Sequence, residues 1–257
     1  MKSLHVHGVQ FFVSSLLEDP SLIHGFSTRL GGVSSGPYAD LNLWYESEDL
    51  IQNIQENRKR LATALGIRPR DIATARQTHG DHLLELVRPL EDRSVEADGM
   101  VTSQPGVFLA VGTADCVPIL LWDPKHRVIG AVHTGWKGTQ LRIATRAVEK
   151  MRDVYKSKPA QIRAAIGPAA GPCCYEVGPE VARGFAREFL LELPDGETHL
   201  DMWKANRQQL LDAGLKEENI GTSDLCTICR PDLFFSYRRD LGVTGGMLSI
   251  IGLKGTS

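Results

Sequence analysis

His79, Cys116 and His133 offer two imidazoles and a thiol, separated by 37 and 17 residues in a chain of 257. Imidazole nitrogen and thiolate sulfur are good zinc ligands. Three protein ligands leave the fourth tetrahedral position open for water or a reactant, as catalysis requires. Each residue lies at or beside the end of a strand-like run: His79 closes residues 71–78, Cys116 follows residues 107–115, and His133 closes residues 127–132. Open α/β sheets build their sites at such ends. Neither spacing puts two ligands on one helical turn. A second reading therefore stays open, in which the imidazoles cap loops and Cys116 is a small core residue.

Two neighbouring segments add positive charge. After His133 come Thr134-Gly135-Trp136-Lys137-Gly138-Thr139 and then a helical pattern, so a glycine-containing loop leads into a helix start with Lys137 and Arg142 close by. That combination suits phosphate or a similar anion. Arg29, in Phe26-Ser27-Thr28-Arg29-Leu30-Gly31-Gly32, could reach a phosphate or carboxylate from its glycine turn, although a plain surface arginine is the commoner case. Gly32-Val33-Ser34-Ser35-Gly36 satisfies G-x-S-x-G, but the Pro37-Tyr38 that follows has no helical periodicity, so it reads as a loop and not a nucleophile elbow. Cys226-Thr227-Ile228-Cys229 is a C-x-x-C. A structural zinc there needs two more thiolates, which only Cys173 and Cys174 could supply, and vicinal cysteines strain a tetrahedral site; loop or buried thiols are the expectation.

The elements that must carry these residues follow from periodicity. Residues 49–65 read as a helix with Leu50, Ile51, Ile54, Leu61 and Leu65 on one face and Gly66 as its stop. A second helix follows Thr139 as N-cap, with Leu141, Ala144, Val148 and Met151 as its buried stripe. A third opens at Pro179 and runs to about Leu191, and a fourth spans 201–213. Strand-like runs cover 72–78, 82–87, 107–113, 117–122, 127–134, 161–166 and 247–253. Their alternation with helices predicts an α/β or α+β domain with mixed sheets, too irregular for a (β/α)8 barrel. Without a linker or repeat, one domain over 1–257 is the expectation.

Hydrophobic residues at 42% and charged residues at 23% are ordinary for a globular chain, long enough to build a core without disulfides. A net charge of −2 argues against a nucleic-acid partner held by bulk electrostatics, and no apolar run approaches the length of a membrane span. The N-terminus lacks a signal-peptide pattern, and five cysteines read as reduced thiols, so a cytoplasmic protein is expected.

The segments FSTRLGGVSSGPY, ADLNL, RQTHG, ADGMV, TADCVPILL, AVHTGWKGT, IGPAAGPCCYEVG and FFSYRRDLGVTGGM resemble, in this order, the YfiH/YlmD-like family, whose members were labelled laccase-domain or polyphenol oxidase proteins. The resemblance spans about Ile23 to Leu253. It implies metal ligation by His79, Cys116 and His133, usually of zinc, with copper in some members. It also implies a fold of mixed sheets with flanking helices, grouped with cysteine hydrolases. The implied activity is phosphorolysis of adenosine, inosine and guanosine, with methylthioadenosine phosphorolysis and adenosine deamination; the implied partners are purine nucleosides and phosphate. A separate proposal for bacterial members is hydrolytic editing of cell-wall precursors.

Two departures stand out. Ala169 occupies a position where the family commonly has cysteine, which puts any copper scheme using that thiol in doubt. After LNL the chain reads Trp44-Tyr45-Glu46-Ser47-Glu48 in place of glycine and a polar run, which would alter substrate preference if the loop borders the pocket.

On this reading the metal holds an oxygen of phosphate or substrate, Arg29 and the Lys137 loop complete the anion contacts, and Tyr175 and Glu176 are candidates for proton transfer. Two other classes use the same residues: a metal-free amide hydrolase with Cys116 as nucleophile and His133 as base, and a non-enzymatic metal-binding module. Phenol oxidation by a multicopper cluster fits poorly, because the other six histidines are scattered at 5, 7, 24, 82, 126 and 199.

Overall fold

Strand Val117–Asp123 is buried along its whole length, and its side chains alternate between two cores: Val117, Ile119 and Leu121 face one, Leu120 and Trp122 the other. Period-two alternation with both faces apolar requires a strand covered on both sides. The computed structural model, which describes residues 1–90 and 94–255, shows how this is achieved.

The strands in chain order are β1 (Lys2–Val6), β2 (Val9–Val13), β3 (Leu22–Ser27), β4 (Ile72–Ala73), β5 (Leu83–Glu85), β6 (Gly99–Thr102), β7 (Phe108–Thr113), β8 (Val117–Asp123), β9 (Val128–Thr134), β10 (Arg163–Ile166), β11 (Leu190–Glu192), β12 (Thr198–Leu200), β13 (Ile220–Thr222) and β14 (Met247–Leu253). Two six-stranded sheets form, ordered β1-β2-β3-β14-β7-β4 and β13-β10-β8-β9-β6-β5. Both are mixed: β4 runs parallel to β7 in the first, β5 to β6 and β10 to β13 in the second, and the other pairs are antiparallel. The sheets pack face to face through Phe26, Leu109, Val111 and Ile251 on one side and Leu120, Trp122, Ile129 and Ala165 on the other.

Helices cover the outer faces. They are α1 (Ile51–Leu65), α2 (Trp136–Gln140), α3 (Ile143–Tyr155), α4 (Pro179–Ala182) and α5 (Met202–Asp212). Leu61 and Ala62 of α1 pack with Phe108, Ala110, Leu248 and Ile250, while Ile143, Ala147 and Met151 of α3 pack with Val117, Ile119 and Val132. The result is a four-layer α/β/β/α sandwich, in keeping with the expected mixed sheets and flanking helices.

Several elements differ from expectation. α1 begins at Ile51, with Leu50 and Ile51 exposed, and ends at Gly66 with φ 70°, whose N–H caps the last turn. The helix after Thr139 is broken in two: Thr139 lies inside α2, Arg142 has φ 60°, and Leu141 is 44% exposed, so Ile143 and Ala147 take its place in the buried stripe. The helix expected from Pro179 to Leu191 stops at Ala182 and the chain enters β11 by residue 190. Gly184 lies just beyond its end, where a Cβ would collide with the Gln140 side chain, and Phe185 and Phe189 turn into the core. The run 72–78 is a strand only over β4. The fourth helix is capped by Asp201, whose carboxylate accepts the Lys204 N–H at 2.9 Å. The G-x-S-x-G segment is a loop whose Ser34 hydroxyl donates to Asp49 at 2.6 Å. No helix among the described residues is long and apolar enough to cross a membrane.

His24 in β3 is 8% exposed and its Nε2 accepts the Ser14 N–H at 2.9 Å, so the ring is held neutral. Burial pushes its pKa down to about 4 from 6.5. Below pH 6.5 the unfolded chain takes up a proton that the folded chain refuses. Folding stability should therefore fall between about pH 6.5 and 4, by roughly 3 kcal/mol from this residue. Urea unfolding of His24→Gln, whose amide can accept the same N–H, should show a flatter profile than wild type over that window. Parallel profiles would refute the assignment.

Candidate functional site

The link between β7 and β8 passes from one sheet to the other, and Cys116 lies in it. His133 is on β9 beside it, and His79 sits in the loop after β4. One ligand atom from each of these three residues lies within 4.8 Å of the others. The imidazole rings meet edge to face with centroids 4.8 Å apart. His79 is exposed, Cys116 half-buried and His133 buried, so the cluster opens to solvent on the His79 side.

Asp98, fully buried, organises this cluster. It directly precedes β6, and its carbonyl accepts the His133 N–H at 2.7 Å, an extension of the β6–β9 ladder. Its carboxylate lies 2.8 Å from Nδ1 of His133. A carboxylate only accepts, so Nδ1 carries the proton and Nε2 is the nitrogen available to a metal. The same carboxylate accepts the N–H groups of Thr78, His79 and Gly80, at 3.2, 2.9 and 2.7 Å, and the Thr78 hydroxyl at 3.2 Å. His79 has φ 60°, a left-handed conformation costly for a non-glycine residue, and this wrapping holds it there. Gln77 pins the loop to β7, with its amide giving to and taking from the Gly112 backbone at 2.8 and 2.7 Å.

Charge is arranged to match. Burial opposes ionisation of Asp98, but the His133 imidazole and the loop amides outweigh it and bring the carboxyl down to about 2. Burial likewise opposes a thiolate at Cys116, yet the two histidines lower it to about 6. For His133, burial favours the neutral ring, while Cys116 and Asp98 raise it to about 9. The cluster thus favours a deprotonated sulfur, the form that binds metal.

Gly135 provides a second test of fit. Its backbone is ordinary, with φ −74°, but a Cβ there would stand 2.9 Å from His79 Nδ1 and 3.2 Å from Cys116 Sγ. The missing side chain leaves the space in which those two donors converge. A borderline-soft ion taking two nitrogens and one sulfur fits this donor set.

The three donors share a cavity of about 500 Å³ with the aromatic rings of Trp44, Tyr45, Tyr175 and Tyr237, the cations of Arg58 and Arg238, and the backbone around Asp115. Arg58 is nearly buried; it stacks on Tyr45 with 4.5 Å from guanidinium to ring centroid and donates to the Leu43 carbonyl at 2.9 Å, so it props the loop that carries Tyr45. Arg238 lies 5.3 Å from the Tyr175 ring and donates to the Glu176 carbonyl at 2.8 Å. Asp115, with φ 94°, is secured by the Ser236 hydroxyl, the Thr227 hydroxyl and the Arg238 N–H. Burial above all raises the Tyr175 phenol to about 12.

Other sequence candidates lie elsewhere. The Arg29 guanidinium is taken up by the carbonyls of Ala39 and Pro231 and stacks on Phe235, and it does not line the cavity. Lys137 is exposed, with its ammonium 5.4 Å from the Trp136 ring, and also lies off the cavity lining. Tyr175 lines the cavity; Glu176 does not, and its side chain is exposed. The Trp44–Glu46 segment does border the pocket. Asp98, Arg58, Tyr237 and Arg238 were not singled out from sequence; the ADGMV segment contains Asp98 and FFSYRRD contains Tyr237 and Arg238, whereas no quoted segment contains Arg58. The remaining cysteines are free thiols in loops, Cys226 buried, and the sulfurs of Cys173, Cys174, Cys226 and Cys229 all lie within 4.8 Å of one another.

The family model described as multi-copper polyphenol oxidoreductase laccase matches residues 23–254. A Deinococcus radiodurans protein named purine nucleoside phosphorylase is 47% identical over 244 residues, covering 93% of this chain and 92% of that protein. Purine nucleoside phosphorylase YlmD of Geobacillus stearothermophilus is 36% identical, with 90% of each chain covered. Among solved structures, the Bacillus licheniformis hypothetical protein YfiH superposes with a TM-score of 0.90 at 38% identity, covering 96% of this chain and 97% of that one.

Adding the methyl group in Gly135→Ala should abolish stoichiometric zinc binding at the three-donor site, with the far-ultraviolet circular dichroism unchanged. Asp98→Asn, which removes the charge behind His133, should weaken zinc by about 10- to 100-fold. Competition with a chromophoric chelator measures both; wild-type affinity in Gly135→Ala would refute the steric reading.

Proposed function

The chain belongs to the family described as multi-copper polyphenol oxidoreductase laccase, and from that premise we propose that it is a zinc-dependent purine nucleoside phosphorylase. The observation that carries this is the company the three donors keep: one cavity joins them to four aromatic rings and an arginine at its rim. Flat rings suit a purine, the cation suits phosphate, and the donor cluster suits the oxygen at which charge must be managed. The family's descriptive name fits less well. Multicopper oxidation needs several clustered metal sites, and among the described residues only one histidine-containing donor cluster of three or more occurs.

His79, Cys116 and His133 would hold the ion, taken as zinc because three protein ligands beside an open position are the arrangement of catalytic zinc sites, and it would supply Lewis-acid stabilisation of an oxygen. The chain's own groups do the rest. Tyr45, Tyr175 and Tyr237 stack against the base and displace water from it. Arg238 holds phosphate against the ribose, a role assigned to it because it lines the cavity and Arg29 and Lys137 do not. Tyr175 keeps its proton at Oη through the neutral range and can direct it to a purine nitrogen as the glycosidic bond lengthens. On this reading the substrates are inosine, guanosine, adenosine and methylthioadenosine. For adenosine deamination Tyr175, and not Glu176, is the group in place to move a proton.

A second reading rests on the contact between Cys116 and His133, whose ligand atoms lie within 4.8 Å of each other. Without metal, Cys116 lowered to about 6 and His133 raised to about 9 form a thiolate–imidazolium pair, the charge state of a cysteine amide hydrolase of the cell-wall-editing kind. Chelation and alkylation separate the two. A zinc phosphorylase loses activity on stripping and regains it with zinc, whereas a hydrolase survives chelation and dies with iodoacetamide.

Incubation of zinc-loaded protein with inosine should give hypoxanthine and ribose 1-phosphate, and only when phosphate is present. Arg238→Ala should raise the KM for phosphate at least about tenfold while changing the KM for nucleoside much less. Free ribose as the product, or phosphate-independent turnover, would overturn the assignment.

A further inference from the structure

Cys173 and Cys174 lie in a turn after β10, and Cys226 and Cys229 lie in the C-x-x-C after β13. These parallel neighbours carry the two loops side by side: Ala169 bridges Cys226, and the Thr227 N–H donates to the Ala169 carbonyl at 2.9 Å. All four sulfurs fall within 4.8 Å of one another, with Cys173 and Cys174 at 3.5 and 3.2 Å from Cys229. Those separations are too long for a disulfide bond, whose sulfurs lie about 2.05 Å apart. Four thiolates each about 2.3 Å from a zinc ion lie about 3.8 Å from one another at tetrahedral corners, which is the spacing this group brackets.

The vicinal pair fits without distortion. The turn from Gly171 is closed by the Cys174 and Tyr175 N–H groups on the Gly171 carbonyl, at 3.0 and 2.9 Å, and none of the four cysteines has a positive φ. From this turn both sulfurs reach Cys229, at 3.5 and 3.2 Å. The Gly171 N–H points at the Cys226 sulfur at 3.3 Å, a contact that steadies a thiolate. Among the described residues no histidine or carboxylate joins the four, and four sulfurs leave no coordination position for a reactant.

We propose that Cys173, Cys174, Cys226 and Cys229 form a second, closed metal site that binds one zinc ion structurally. Its place explains its use. Tyr175 directly follows Cys174, and Thr227, inside the C-x-x-C, donates to Asp115 at 2.6 Å and accepts from Arg239 at 2.8 Å through its carbonyl. An ion there cross-links the two loops that bring Tyr175, Tyr237 and Arg238 to the cavity.

The test uses the full-length chain purified under reducing conditions, in wild-type form and as the double variant His79→Ala/Cys116→Ser, which disables the other donor cluster and leaves the four cysteines intact. The double variant should retain about one equivalent of zinc, and its cobalt-substituted form should show the intense visible bands and near-ultraviolet thiolate-to-metal transitions of a tetrahedral four-thiolate complex. Adding Cys229→Ser should remove that equivalent and those bands. Should that variant fail to fold, the cobalt spectrum of the intact cluster decides. A double variant that binds no zinc while all four thiols react with iodoacetamide, or whose mass shows a disulfide among them, would overturn the proposal. Because the readout is metal in the absence of the His79 cluster, the outcome is independent of whether that cluster drives phosphorolysis.

Discussion

One buried carboxylate organises the region where both sheets meet. Removing Asp98 from water carries a penalty of several kcal/mol, tolerable only with a full set of partners. It has five: the amides of Thr78, His79 and Gly80, the Thr78 hydroxyl and His133 Nδ1. Meeting the needs of that charge bends the loop into its left-handed turn, aims His79 across the cavity and fixes which nitrogen of His133 faces inward. Electrostatic satisfaction and ligand geometry are here one arrangement, which is why a residue that touches no reactant governs the site.

The meeting of His79, Cys116 and His133 was legible from residue type and position only as one of two readings, and otherwise as what the family resemblance implied: Cys116 and His133 do lie beside strand ends, whereas His79 lies well past the end of β4. Asp98 was not legible, since an aspartate in ADGMV shows nothing of the imidazole it will meet 35 positions on. That Arg29 and Lys137 lie off the cavity lining was hidden for a related reason. Glycine turns predicted where the cations begin, but not the Ala39 and Pro231 carbonyls or the Trp136 ring that take them up. The broken helices show the same limit: hydrophobic spacing was correct from Ile143 onward, while Leu141, on the same stripe by count, is turned outward by the Arg142 kink. The paired sheets themselves were foreseeable only as mixed strands, because the N-terminal β1 to β3 carry no helix between them to signal their layer.

The five cysteines divide into two environments. Cys116 is alone among histidines at an accessible cavity, and the other four face one another between two loops. Doubt about vicinal cysteines came from treating them as isolated side chains. The turn that closes on Gly171 brings both sulfurs to Cys229, and neither spacing nor composition could supply that turn.

The placement of the three donors has a mechanical consequence. His79 depends on an edge of the first sheet, His133 belongs to the second, and Cys116 occupies the chain as it passes between them. An ion gripped by all three would act as a rivet through the layers, so its binding free energy would add to the resistance of the sandwich against sliding. Conversely, any shear of one layer over the other would loosen the grip. Affinity at this seam becomes a gauge of how well the two halves are aligned.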